Sequence, residues 1–268
     1  MKRIVGEAKQ GEINDVLVFP ELLCLRLELL PNLTSFCGEE TDACKVEFPS
    51  LKDLKIENVK DTSDIWERDY NCESSFCKLR SISVQGFSRL QTIIPVVMLH
   101  KLSNLQSLRI SDCSSLISGV GTDASNIDVS RLPALSHLYL NGLPCLTETG
   151  LKSGNLYPNL KKLEINDCHS LTNVVPRDVM HLEEIIVGNC KKMKRIVGEA
   201  KQGEINDVLV FPELTCLRLE LLPNLTSFCG EEIDTYKVLY LYSFLQFFML
   251  AVFGAYKCVQ NFIQNDMW

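Results

Sequence analysis

The chain has 268 residues, of which 46% are hydrophobic and 23% are charged, a composition typical of a globular protein. Its 27 basic and 34 acidic residues give a net charge of −7, which argues against a general nucleic-acid binder because phosphate neutralisation requires a basic surface. The first 15 residues are charged and lack the apolar stretch of a secretory signal peptide. The twelve cysteines form no C-x-x-C pair, so we expect reduced, structural cysteines in a cytoplasmic or nuclear protein.

One spacing of aliphatic residues recurs eight times along the chain. Each match has an aliphatic residue, two variable positions, an aliphatic, one variable, an aliphatic, two variable, and then an apolar residue or cysteine. The matches begin at Leu22, Leu51, Leu79, Leu105, Leu135, Leu160, Leu182 and Leu214. Eight matches that start 22 to 32 residues apart predict a leucine-rich-repeat solenoid.

The repeat pattern predicts an α/β repeat fold with three sections. Each match suits a short strand whose aliphatic side chains point inward and stack on the next repeat. We therefore expect a curved parallel sheet on the concave face, with irregular loops and short helical turns on the convex face. The predicted sections are a partial leading repeat at 1–18, a repeat domain of about eight repeats at 19–237, and a non-repeat apolar tail at 238–268.

A longer duplication lies over these repeats. Residues 1–40 reappear as residues 193–232 and differ only at Leu23, which becomes Thr215. Met193 follows a strand of its repeat, so its counterpart Met1 stands halfway through a repeat. From this position we expect a fragment or a shortened gene model of a longer protein.

The tail departs from the repeat pattern at Val238. Residues 238–256 form an apolar, predicted helical stretch in which only Ser243 and Gln246 are strongly polar. At about 1.5 Å per residue, a helix of this length nearly spans a bilayer core. Three interpretations stay open, namely a membrane helix, a buried capping helix, or translated non-coding sequence.

No motif for catalysis, nucleotide binding or metal binding is present in the sequence. The glycine-rich phosphate loops are absent, and the four histidines and twelve cysteines lack the spacing of a zinc site. Cys168 and His169 are adjacent, but neighbouring residues of an extended chain point to opposite sides, so a catalytic pair is disfavoured. We expect a protein that is not an enzyme and needs no cofactor or metal.

The densest basic run, at residues 191–195, has two readings. It fits a solvated turn after a strand, and the alternative is a nuclear import signal or a contact for an acidic partner.

Two columns of outward side chains form the predicted binding surface. They flank the last inward aliphatic residue of each strand and are diverse, whereas the inward positions are uniform. The first column reads Arg26, Lys55, Ser83, Arg109, Tyr139, Glu164, Ile186, Arg218, and the second Glu28, Glu57, Gln85, Ser111, Asn141, Asn166, Gly188, Glu220. The predicted protein-binding residues are Arg26, Lys55, Arg109, Tyr139, Glu164, Arg218, Glu28, Glu57, Asn141 and Asn166. Arg26, Arg109, Tyr139 and Arg218 are the expected anchors by residue type.

The amino-acid sequence of the repeats resembles that of a particular protein family. The segments FPELLCLRLELLPNLTSFC, FPSLKDLKIENV, LPALSHLYLNGLPCL, YPNLKKLEINDC and LEEIIVGNCKKMKRIV are similar to the C-terminal repeats of plant nucleotide-binding leucine-rich-repeat disease-resistance proteins of the coiled-coil class. The resemblance covers residues 1 to about 238. It implies a sensor that recognises pathogen effectors or modified host proteins and that restrains the receptor's own nucleotide-binding domain. That domain is missing from this sequence, so nucleotide binding is not implied.

Two further interpretations of function remain open at this stage. A substrate-binding repeat module of a ubiquitin-ligase adaptor would also use a solenoid. A non-functional gene fragment would fit the near-identical duplication and the irregular tail. Any membrane association is expected only through residues 238–256.

Overall fold

Eight short strands, one from each predicted repeat, form one parallel sheet in the computed structural model. The structure describes residues 16–33, 45–59, 65–66, 75–120, 132–147, 149, 156–175, 181–198 and 211–228. The predicted tail at 238–268 lies outside the described residues.

The strand bounds follow the repeat pattern. In chain order they are β1 (Val16–Val18), β2 (Cys24–Glu28), β3 (Lys45–Glu47), β4 (Asp53–Glu57), β5 (Ser81–Gln85), β6 (Thr92–Ile94), β7 (Ser107–Ser111), β8 (Ser118–Val120), β9 (His137–Asn141), β10 (Lys162–Asn166), β11 (Glu184–Gly188) and β12 (Cys216–Glu220). A 3-10 helix, Val96–Met98, follows β6. The main sheet runs β2-β4-β5-β7-β9-β10-β11-β12, and β1-β3 and β6-β8 are separate parallel pairs. The predicted parallel solenoid is therefore confirmed.

The core consists of the inward aliphatic residues of successive strands. Leu108 pairs with Leu138 and Ile110 pairs with Leu140 across neighbouring strands, so equivalent positions stack directly. All four side chains are 3% exposed or less, whereas Leu217 of β12 is only partly buried. Burying one such side chain is worth about 1.5–3 kcal/mol. Each repeat therefore gains its stability from the repeats beside it.

The residue after every strand of the main sheet adopts a left-handed conformation. These residues are Leu29, Asn58, Gly86, Asp112, Gly142, Asp167, Asn189 and Leu221, with φ between 47° and 80°. The amide of each of the first seven donates to the last carbonyl of the next strand, as Asp112 does to Asn141 at 2.9 Å. Glycine, asparagine and aspartate tolerate this conformation best. Leu29 and Leu221 are exceptions, and both are highly exposed.

A tight turn precedes the strands, and its first residue fills the core. The Leu22 amide donates to the Phe19 carbonyl at 3.4 Å, and Pro20 stands where its fixed φ suits a turn. The Phe19 ring stacks on Phe48 with centroids 5.7 Å apart, and Phe48 contacts Phe76 at 6.0 Å. The aromatic residues at this turn position thus contact one another across successive repeats.

Tyr157 occupies the same turn position as these phenylalanines. Its side chain is 1% exposed, and its hydroxyl has no hydrogen-bond partner in the part of the chain that the structure describes. Burial raises the pKa of this phenol above its ordinary value, so the hydroxyl stays neutral. An unsatisfied buried hydroxyl costs free energy that a phenylalanine would not.

Gly86→Ala is expected to lower the free energy of unfolding by about 1–2 kcal/mol, as measured by urea denaturation. At φ +80° a side chain is strained, and the new Cβ would collide with the Asn58 side chain. Gly119→Ala is the matched control, since its Cβ would lie 3.6 Å from Ile110 Cδ1, an ordinary contact. Equal stabilities of the two variants would contradict the proposed role of the left-handed turn.

Tyr157→Phe is expected to raise the free energy of unfolding by about 1 kcal/mol, because it removes a buried, unpaired hydroxyl and keeps the ring. Thermal and urea unfolding measure the change. Tyr139→Phe serves as the control on the exposed face of the sheet and should change stability by less than about 0.5 kcal/mol. Destabilisation by Tyr157→Phe would mean that the hydroxyl is satisfied in solution.

Candidate recognition surface

The strand register aligns the two predicted outward columns without a break. In the first column Arg109 stands opposite Ser83 on one side and Tyr139 on the other. In the second, Asn141 stands between Ser111 and Asn166. The same pairing continues from β2 to β12. All ten predicted binding residues therefore lie in two adjacent rows on the exposed face of the sheet.

The rows are too long to act as one small-molecule site. Seven strand spacings of about 4.8 Å separate β2 from β12, so Arg26 and Arg218 lie roughly 34 Å apart. Only a macromolecular partner could contact both ends at once. Any smaller ligand would use one part of the face.

The β2–β4 end of the face is neutralised by its own ion pairs. Lys55 Nζ lies 2.9 Å from Glu28 Oε1 and 3.0 Å from Glu57 Oε1. The hydrogen bond from Lys55 lowers the pKa of Glu28, and the hydrogen bonds to the two glutamates raise the pKa of Lys55. Three of the ten predicted residues are thus occupied with one another. Such exposed pairs contribute little to stability, so a partner could rearrange them at low cost.

Arg109 and Tyr139 contact each other in the middle of the face. The Arg109 guanidinium carbon lies 4.0 Å from the centroid of the Tyr139 ring, within the range of a cation–π interaction. Arg109 remains exposed and Tyr139 is half-buried. The pair presents a cation and an aromatic ring together, which are residue types enriched at binding hot spots.

Of the remaining predicted residues, Glu164 and Asn166 lie on β10, Arg218 on β12, Arg26 on β2 and Asn141 on β9. Glu164 Oε1 accepts a hydrogen bond from Asn166 Nδ2 at 3.1 Å. Arg218 Nε lies 3.7 Å from Glu220 Oε1, and both side chains are more than half exposed. These contacts stay within single strands, and the Glu164–Asn166 pair is partly buried whereas Arg218 and Glu220 are exposed.

Two further rows of the exposed face were missed by the sequence reasoning. One begins each strand and reads Cys24, Asp53, Ser81, Ser107, His137, Lys162, Glu184, Cys216. Because side chains alternate between the two faces of a strand, the sequence pattern also predicts that this row faces outward. The other precedes the strands and includes Arg80, Lys161 and Glu183. It becomes part of the face because the chain bends there, where the amides of Lys161 and Lys162 both donate to the Ser136 carbonyl at 2.9 Å.

These rows add ion pairs at the β10–β11 end. Lys161 Nζ lies 2.6 Å from Glu183 Oε1, and Lys162 Nζ lies 3.0 Å from Glu184 Oε2. The hydrogen bond that Lys161 donates to Glu183 raises the pKa of Lys161, and the one that Lys162 donates to Glu184 raises the pKa of Lys162. As at the β2–β4 end, charges on neighbouring strands neutralise each other.

A family model described as "Plant disease resistance protein RPS2-like, leucine-rich repeats" matches residues 50–191, more than half of the chain. The chain belongs to this family. The resemblance of the repeat sequences to plant disease-resistance proteins is thereby confirmed. The family consists of leucine-rich repeats from such proteins.

A named relative from Arabidopsis thaliana supports the same membership. The protein, "Putative disease resistance protein At4g19050", is 36% identical to this chain over 78 residues. The alignment covers 29% of this chain and 6% of that protein. The aligned segment is therefore a small part of that protein's length.

The buried cysteines of this family member are poor nucleophiles. Cys113, Cys168 and Cys190 close their repeats, and none has measurable exposure. Burial raises the pKa of the Cys168 thiol to about 12 and that of Cys190 to about 11. The Cys168 thiol lies 3.3 Å from the Asn166 carbonyl, to which it donates. Since the thiolate is the reactive form, these residues act as small core side chains.

In the described part of the repeats, neither a metal-binding cluster nor a surface depression with a reactive side chain is found. Among the described residues, no three His, Cys, Asp or Glu side chains gather into a metal-binding cluster. A surface depression is lined by Ser88, Arg89, Gln91 and Ser115, a set without a thiol, imidazole or carboxylate. None of the helical residues that the structure describes belongs to a helix long and apolar enough to cross a membrane.

The basic run at 191–195 forms a turn after β11. Lys191 and Lys192 are exposed, but Met193 is fully buried, and its amide donates to the Cys190 carbonyl at 3.1 Å. The geometry matches the solvated-turn reading of this run.

Iodoacetamide at pH 8 is expected to modify Cys24 and Cys145 at least about tenfold faster than Cys113, Cys168 and Cys190. The first two are exposed, whereas the other three are buried. At pH 8, far below the raised pKa values of Cys168 and Cys190, hardly any of their thiolate exists. Peptide mass spectrometry over time measures each rate, and unfolding the protein should equalise them. Rapid labelling of Cys168 in the folded chain would contradict its structural role.

Proposed function

We propose that the chain is a non-catalytic protein-recognition module of a plant immune receptor that senses pathogen effectors or modified host proteins. The observation that carries this proposal is the register that places diverse outward side chains in continuous rows, while the inward positions stay aliphatic. A scaffold of this kind can change its surface without disturbing its core. Membership of the disease-resistance family supports the role in defence.

The size of the exposed face suits a protein partner. Eight strands at about 4.8 Å and five residues at about 3.3 Å give a face of roughly 40 by 16 Å. This area is of the same order as the roughly 800 Å² that each partner contributes to a standard protein interface. We propose that this face is the concave, ligand-binding side of the solenoid.

The ten predicted residues divide into two roles in this proposal. Arg109 and Tyr139 are the central anchors, because one is an exposed cation and the other an aromatic ring held against it. Arg26 and Arg218 lie at the two edges of the sheet and would contact the periphery of a partner. Lys55 and its glutamates, with Glu164, Asn141 and Asn166, would supply polar contacts around the anchors.

The proposal places the module inside the cell, in the cytoplasm or nucleus, as part of a longer receptor. There the receptor's own nucleotide-binding domain is a second proposed partner. The exposed turn at Lys191 and Lys192 lies outside the sheet and offers a separate surface for such a contact.

Arg109→Glu and Tyr139→Ala are expected to abolish infection-dependent capture of protein partners, because they remove the two central anchors of the proposed surface. The tagged chain and its variants would be expressed in leaves with and without pathogen, and partners bound only after infection would be quantified by mass spectrometry. Circular dichroism of each purified variant checks that the fold is kept.

Lys192→Glu is the matched control, a charge reversal on an exposed turn away from the sheet. It should leave capture unchanged. If infection-dependent partners bind the Arg109→Glu and Tyr139→Ala variants as well as the wild type, the exposed face is not the recognition surface. Loss of capture in Lys192→Glu alone would place recognition on the basic turn.

A further inference from the structure

We infer that the middle of the exposed face binds an acidic segment of a partner protein, an inference that rests on the proposed recognition function. The relevant surface is the central patch, formed by the outward positions of β5, β7 and β9 and by the residue that directly precedes each of these strands. Its members are Arg80, Ser81, Ser83, Gln85, Gln106, Ser107, Arg109, Ser111, Ser136, His137, Tyr139 and Asn141. These twelve positions contain two arginines and a histidine but no aspartate or glutamate.

The absence of acidic residues from the central patch is unusual for this chain. The protein as a whole has a net charge of −7, so acidic residues are plentiful elsewhere. Acidic side chains return on the flanking strands, with Asp53 on β4 and Glu164 on β10. At the margin of the central patch, Asp112 follows β7 and accepts a hydrogen bond from Gln85 Nε2 at 2.9 Å.

Four cations of the flanks form ion pairs, whereas those of the central patch do not. Lys55, Lys161, Lys162 and Arg218 each lie within 4 Å of a glutamate on their own or a neighbouring strand. Arg80 and Arg109 have no such carboxylate among the residues that the structure describes, and both are exposed. Arg26 on β2 and Lys52 before β4 also lack such a carboxylate among the described residues, but acidic side chains, Glu28 and Asp53, stand close to them in the same segments. A carboxylate arriving from a partner would therefore meet positive charge without a nearby acidic side chain mainly in the middle of the face.

The contact with Tyr139 prepares Arg109 to bind a carboxylate. The contact with the ring at 4.0 Å restrains the guanidinium, and Arg109 remains exposed to solvent. A guanidinium donates two parallel hydrogen bonds to a planar carboxylate, and prior restraint reduces the entropy lost when they form. Arg109 is the predicted primary contact, and Arg80, which directly precedes β5, is the second.

The rest of the central patch suits a polypeptide better than a nucleic acid. Its serine hydroxyls and side-chain amides can donate to and accept from the peptide groups of a bound segment. Nucleic-acid binding draws most of its affinity from many phosphate contacts, and two unpaired arginines on a protein of net charge −7 supply few. The expected occupant is a protein segment with aspartate or glutamate side chains.

Selection from a displayed library of random twelve-residue peptides against the full chain tests this inference. We expect the recovered peptides to be enriched in aspartate and glutamate relative to the input library. Their affinity should fall at least about tenfold with Arg109→Gln and with Arg80→Gln, and also in 0.5 M salt, which screens exposed charges. Changing the acidic residues of a recovered peptide to asparagine and glutamine should cause a similar loss.

Lys192→Gln is the control, since it removes one exposed positive charge from the turn after β11, which lies outside the central patch and outside the sheet. It should change affinity less than about twofold. Peptides that depend on other residues of the exposed face, without acidic enrichment, would overturn this inference and leave the proposed function standing. Recovery of no peptide that depends on the exposed face would contradict both. Unchanged binding after the asparagine and glutamine substitutions would also overturn the inference.

Discussion

No repeat of this chain can bury its own aliphatic side chains, and everything else in the structure depends on that constraint. The inward residues of one strand are covered only when the strands on both sides are in place, so interior pairs such as Leu108 and Leu138 are buried. At the edge of the sheet that the structure describes, Leu217 and Leu219 lie on β12, whose described neighbour is β11 alone, and they are only partly buried. Stability in such a chain is a sum of contacts between neighbours. A defect in one repeat therefore weakens the two repeats beside it first.

The same constraint decides where function can reside. The core fixes the inward positions, and the left-handed residue after each strand fixes the backbone, since its amide continues the ladder to the next repeat. Only the outward side chains are left free to differ between repeats. Their charges are arranged unevenly, with paired lysines and glutamates on the flanks and unpaired arginines in the middle. Family membership alone would not reveal this distribution, because it depends on which residues face each other across strands.

The main sheet and the two columns of the candidate surface could be predicted from the sequence, whereas their contacts could not. Hydrogen bonds of a parallel sheet join equivalent positions of successive repeats, so spacing alone aligns Arg109 with Tyr139. Their stacking, like the pairing of Lys55 with Glu28, depends on side-chain conformations that no spacing encodes. The short pairs β1-β3 and β6-β8 carry no periodic pattern that would predict them. The row that includes Arg80 was missed because a backbone bend interrupts the alternation there.

The duplicated block occupies both edges of the main sheet, and its two copies pack against different neighbours. Residues 24–28 pair with β4, which follows them, and the identical residues 216–220 pair with β11, which precedes them. The same five-residue strand sequence therefore packs against the following strand, β4, in the first copy and against the preceding strand, β11, in the second. An unequal crossover between the copies would join residue 232 to residue 41, and both neighbours of the new inner strand would already match it. The array could therefore lengthen by seven repeats in one genetic event without a new interface having to evolve.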